Sequence, residues 1–115
     1  MEKIVLIGDK EMRMRATALI PRLYRHKFGR DLIADMNQLQ NAFKDAGENG
    51  FDVMDLTIFE NVAWLMLKQG GEEVGNDPDE WLDSIDGVFS IYQVLPSIME
   101  LWTANLHQTS APAKK

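Results

Sequence analysis

The stretch NVAWLML, Asn61–Leu67, is apolar on nearly every side of the helix that its flanks predict, near Asp52 to Gln69. A helix without a polar face has to be enclosed by other elements, so this one is expected to be central and buried. The rest of the chain must then supply its walls. With 115 residues the chain suits one domain. A chain of this size buries roughly 65% of its unfolded surface, enough for a core without disulfides. It has no cysteine, which removes disulfides and thiol chemistry.

Working outward, Glu2 to Ala16 reads as a β-hairpin. Ile4 to Ile7 is a short β-branched and apolar run, and Gly8-Asp9 fits a two-residue hairpin loop. On the return, Met12, Met14 and Ala16 alternate with Arg13, Arg15 and Thr17, so methionines and arginines take opposite faces. A lone hairpin is marginal in water and must pack on something. Pro21 then marks a helix start and Gly29 its end. Between them Leu19 or Ile20, Leu23, Tyr24 and Phe28 form one apolar stripe. Asp31 can cap a second helix whose inner face is Leu32, Met36, Leu39 and Phe43, with Asp35, Gln38 and Asn41 expected on the solvent side. Two glycines in Ala46–Phe51 break that helix.

Beyond the central helix, QGGEEVGN (69–76) carries three glycines and is expected to be a mobile loop. Asp77, Pro78 and Glu80 match the N-cap, first and third positions of a short helix, with acids at the positive end of its dipole. A last helix is expected from near Ser90, with Gln93 completing a second capping pattern. Its stripe is Ile91, Leu95, Ile98, Trp102 and Leu106, and Pro96 inside it should kink or split it. The fold class is therefore mainly α, a small bundle of four to five helices with an N-terminal β-hairpin over about 2–16. One domain spans 1–107, and 108–115 is expected to be a disordered tail.

Charge is unevenly placed within the net value of −6. Residues 1–30 hold eight Lys/Arg against three Asp/Glu, and residues 31–115 hold four against fifteen. Between Asp45 and Glu100 Lys68 is the one Lys or Arg, against thirteen acids. Arg22, Arg25, His26, Lys27 and Arg30 crowd the first helix. Nucleic-acid binding is nonetheless not expected. Asp31 and Asp35 would stand on the second helix of a helix-turn-helix, where base readers are Arg, Asn or Gln, and the pI is near 4.8. A basic start and an acidic remainder can attract within one fold or between copies. The second case pairs Arg22, Arg25, Lys27 and Arg30 of one copy with Asp79, Glu80 and Asp83 of the next.

No constellation for catalysis stands out. His26 and His107 are far apart and lack HxxxH or HxxE partners, so no metal site is expected. No glycine-rich segment leads into Gly-Lys-Ser/Thr. Glu72/Glu73 and Asp79/Glu80 read as loop and capping charges, since catalytic carboxylates need a pocket that shifts their pKa. No cofactor is expected. The start, MEKIVLIGDK, lacks a signal peptide's apolar region. The longest apolar block, Val62 to Leu67, falls far short of a membrane span of about 20 residues. No membrane association is expected.

Three blocks carry a resemblance: ATALIPRLYRHKFGRDLIADM (16–36), DLTIFENVAWLMLKQ (55–69) and DEWLDSIDGVFSIYQVLPSIMELW (79–102). In this order they resemble the tail assembly chaperones of siphophages and prophages from Gram-positive hosts. Ile20 stands where a Thr is more usual in that family. The resemblance implies a non-enzymatic protein of the host cytoplasm, absent from the mature virion. It implies binding to the tape measure protein, which is kept soluble while major tail protein subunits gather around it. It also implies self-association and, in many members, a longer frameshifted form. Two other readings stay open: a minor structural tail protein and a small DNA-binding regulator.

Overall fold

The computed structural model describes residues 2–44, 53–87 and 94–110, with the side chains of 43, 44, 53, 54 and 104–110 outside that description. The fold is mainly α: five helices and an N-terminal antiparallel hairpin. Strands β1 (Glu2–Ile7) and β2 (Lys10–Arg15) pair from Glu2↔Arg15 to Ile7↔Lys10, with Gly8 at φ 68 in the two-residue turn. Helices follow at Ile20–Phe28 (α1), Leu32–Lys44 (α2), Val53–Gln69 (α3), Pro78–Asp83 (α4) and Leu95–Ser110 (α5).

The expected enclosure of α3 is what organises the molecule. Ile58, Phe59 and every residue from Val62 to Leu67 are buried. α3 packs against β2, α2, α1 and α4, while α5 packs against β1. Each large aliphatic or aromatic residue so enclosed contributes roughly 1.5–3 kcal/mol. The hairpin supplies Val5, Ile7, Met12, Met14 and Ala16 to the same core, and the arginines between them face out as the alternation requires. α3 meets β2 at close range. A Cβ on Gly70 would run into the backbone carbonyl of Arg13, so only glycine lets the chain leave α3 there.

Local signals give the helix ends. α1 starts without a side-chain cap and ends on Gly29 at φ 67. Asp31 caps α2, its Oδ1 accepting from the Ile33 N–H at 3.0 Å. Asp77 caps α4 by accepting from the Glu80 N–H at 2.8 Å. α5 begins at Leu95, so Pro96 lies in its first turn, where a missing N–H costs least, rather than in its middle. The capping pattern expected at Ser90 and Gln93 lies outside the described residues, as do the Phe43 and Leu106 side chains and Ile91. α5 runs to Ser110, past the boundary expected at 107; residues 111–115 lie outside the described residues.

Two expectations are corrected. Asp35 is not on the solvent side: it is 4% exposed. Its Oδ2 accepts from the Tyr24 hydroxyl at 2.7 Å, and Arg30 binds both carboxylate oxygens at 2.7 and 2.8 Å. The stripe of α2 places Asp35 beside Met36, at the border of the inner face, and a neighbouring cation makes burial there tolerable. The loop after α3, expected to be mobile, is fastened at several points. Glu72 Oε2 accepts from the Arg13 N–H at 2.8 Å, Val74 is buried, and its carbonyl accepts from Trp64 Nε1 at 3.1 Å.

Arg30 holds the Asp35 carboxyl below its ordinary value, while burial beside that carboxylate raises the Tyr24 hydroxyl. A depressed carboxylate stabilises the fold at all pH above its unfolded value and loses that contribution as pH falls through the folded one. Asp35→Asn is therefore expected to cost about 1–3 kcal/mol at pH 7. In urea unfolding followed across pH, the deficit should shrink below about pH 4. A deficit unchanged down to pH 2.5 (~, well below the ordinary carboxylate range) would show that the ion pair is not its source.

Candidate functional site

α1 carries two adjacent stripes rather than one. Ile20 and Tyr24 turn inward and are 2% and 0% exposed, whereas Leu19 remains 45% exposed and Leu23 half-buried. Leu19, Leu23 and Lys27 recur at four-residue spacing and line one wall of an open groove of about 700 Å3. Leu65, Lys68 and Gln69 of α3 line the other wall, and Asn76 also contributes to the lining. The lining is mostly apolar, with polar and cationic groups at its rim.

Trp64 forms the floor and is locked in place. Its indole N–H donates to Val74 O, and its ring meets Phe28 edge-on at 6.1 Å. Lys27 Nζ and Lys68 Nζ stand 5.4 and 5.5 Å from the Trp64 ring centroid. Such contacts contribute about 0.5–1 kcal/mol each at exposed sites. Neither ammonium has a carboxylate partner among the described residues. They leave an apolar trough whose rim lacks its counter-charge. An apolar segment carrying carboxylates along one side would complement it.

The residues expected to join copies divide into two groups. Arg30 is committed to Asp35. Lys27 donates to Asn76 O at 2.9 Å, and the Asn76 N–H donates to Glu80 Oε1 at 2.9 Å. Lys27 and Glu80 thus meet at Asn76 within one chain. Arg22, Arg25, Asp79 and Asp83 are exposed and form no ion pair among the described residues. Asp79 acts instead on Glu60, a half-buried residue of α3: burial first, then the Asp79 charge, raise the Glu60 carboxyl.

The groove itself was not legible in the sequence. Lys68 stood out as the lone cation of an acidic segment, but nothing local placed it beside Trp64 or opposite α1. A second, smaller cleft of about 250 Å3 lies between the hairpin turn and α4, with Asp9, Glu73 and Asp86 at its rim. Among the described residues no three His, Asp or Glu side chains are grouped to hold a metal ion. No described helix is long and apolar enough to cross a membrane. Comparison with known protein families, with curated proteins and with solved structures finds no match to this chain.

Because Glu60 is raised, its contribution to stability is full below the unfolded value and lost as pH rises through the folded one. Glu60→Gln is expected to raise the thermal midpoint at pH 7 and to leave it unchanged in acid, where Glu60 is already protonated. Asp79→Asn should give part of the same gain. A midpoint that falls at pH 7 in both variants would show that these carboxylates are stabilising.

Proposed function

We propose that this protein is a phage tail assembly chaperone that binds the tape measure protein, keeps it soluble and promotes tail tube assembly. The observation that carries the reading is the groove between α1 and α3, apolar inside and lined at its rim by cations without carboxylate partners. A tape measure protein is a long helical rod with exposed apolar stripes. Apolar anchors at i, i+3, i+4 and i+7 are what a trough between two helices accepts. Lys27 and Lys68 then select segments with carboxylates beside those anchors. The three sequence blocks support the same reading, and two of them supply the groove lining: Leu19, Leu23 and Lys27 come from the first, Trp64 and Lys68 from the second.

Binding of this kind fits transient assistance. The rim charges are exposed, so each adds on the order of 0–1 kcal/mol and is weakened by salt. A client held mainly by a shallow apolar trough can be displaced by tail tube subunits that cover the rod more completely. Arg22 and Arg25 on α1, with Asp79 and Asp83 on α4, remain available for weak head-to-tail contacts between neighbours along the rod. The protein acts in the host cytoplasm and leaves before the virion is complete.

Co-expression with the tape measure protein of the same genome tests this. Wild type should raise the soluble yield of that protein several-fold, on the order of 3–10 (≈1 kcal/mol of added binding). Leu19→Asp combined with Lys68→Glu should abolish the gain, while Asn37→Ala on the exposed side of α2 should keep it. A full gain with the double variant, or none with wild type, would reject the groove. Abundance of this chain in purified virions would favour a minor structural tail protein.

A further inference from the structure

The two strands of the hairpin have unlike outer edges. The Arg13 N–H leaves the ladder to reach Glu72, so Arg13 and Ile4, which face each other, are a non-hydrogen-bonded pair. The backbone groups of Ile4 therefore point away from β2, and by alternation so do those of Glu2 and Leu6. On β2 the outer edge is covered: Glu72 binds it, and Gly70 lies against the Arg13 carbonyl. On β1, Ile4 and Leu6 have no backbone hydrogen bond among the described residues that covers the edge.

Of the devices that normally protect an edge, β1 carries only an inward-pointing charge, Lys3, and that charge is neutralised within the chain. The strand contains no proline, and its register runs without a bulge from Glu2 to Ile7. Its one lysine, Lys3, lies on the core-facing side and pairs with Glu100 of α5 at 2.8 Å. α5 thus approaches β1 from beneath the sheet. On the opposite face Ile4 and Leu6 are 57% and 53% exposed, two of the four large apolar residues exposed among the described ones. Glu2, at the end of the row, is held between Arg13 and Arg15 at 4.0 and 3.8 Å.

We propose that β1 pairs antiparallel with β1 of a second copy, about a two-fold axis at Val5, giving a four-stranded sheet. The outward-pointing groups sit on Glu2, Ile4 and Leu6, so only registers that match even with even positions form hydrogen bonds. Setting Ile4 opposite the partner's Leu6 pairs apolar with apolar in both central rows. Each of those rows then reads Arg13, Ile4, the partner's Leu6, the partner's Glu11 across the sheet. The apolar pair is flanked by opposite charges at its two ends. Moving the strands by two residues, to Ile4 opposite the partner's Ile4, would instead set Glu2 against the partner's Leu6 and put arginine at both ends of the central row. Apolar and charge patterns therefore select the same register. The surface is isologous, so it closes as a pair rather than growing into a fibre. It lies apart from the groove and does not depend on the chaperone reading.

Sedimentation of the full chain over a concentration series tests the pairing. A monomer–dimer equilibrium is expected, and it should persist in about 500 mM salt because it rests on backbone bonds and apolar contact. Leu6→Lys and Ile4→Lys should each weaken it by about tenfold or more without lowering the thermal midpoint measured at concentrations where the wild type is monomeric. Leu6→Pro removes an outward N–H that the hairpin itself does not use, and should do the same. Ile33→Lys, on an exposed apolar residue of α2, should leave the dimer intact. The chain has no cysteine, so Ile4→Cys and Leu6→Cys proteins can be mixed and oxidised; crosslinks should join unlike variants. A monomer at every concentration, a dimer lost in salt, or one unaffected by both lysine variants would overturn the proposal. Crosslinks mainly between like variants would overturn the register.

Discussion

The structure depends on one constraint: between Val62 and Leu67, α3 has no side it can leave in water. From Val62 to Leu67 every residue is buried, so at each step round the helix some other element has to stand against it. β2, α1, α2 and α4 each take a sector. This explains why a hairpin too small to be stable alone is present: it covers the sector that the helices leave open. It also explains Gly70, because the hairpin comes close enough to the end of α3 that no side chain fits between them.

The second organising interaction is polar. α1 is short, with nine residues, and would be marginal in isolation. It is tied to α2 through Tyr24, Asp35 and Arg30, three groups whose hydrogen bonds satisfy one another at 2.7 to 2.8 Å. Geometry of this quality fixes the rotation of α1 about its axis. That rotation turns Ile20 and Tyr24 into the core and leaves Leu19 and Leu23 along the groove. An arginine that looked free to bind a partner is thereby part of the scaffold, and the surface available for binding is set by the residues one position earlier in the helix.

The uneven charge of the sequence has a tertiary counterpart, though a subtler one than two opposed blocks. Part of the basic first segment is neutralised within the chain, by Asp35 at Arg30, whereas Lys27 donates to the neutral Asn76 carbonyl and keeps its charge. What remains is divided between a groove with a cationic rim, a cleft with an acidic rim and a hairpin whose outer face is apolar at its centre. For the proposed role, the resemblance expected from the three sequence blocks and the shape of the groove are separate lines of support. The β1 edge belongs to neither and adds a surface of its own.

The sequence by itself determined the elements whose causes are local. Gly8-Asp9 set the hairpin turn, Gly29 ended α1, Asp31 and Asp77 capped the helices after them, and Leu32, Met36 and Leu39 gave α2 its inner face. The all-round apolarity of 61–67 announced a central helix, because periodicity and capping act within a turn or two. Tertiary structure alone decided the burial of Asp35, the fastening of the loop after α3, the meeting of Lys27 with Asn76, and which strand edge is covered. Each of these depends on residues brought together from distant positions: Arg13 with Glu72, Trp64 with Val74, Lys27 with Lys68 across one ring. Such contacts follow from how helices rotate and settle against α3, and the pattern of any single segment carries no record of that packing.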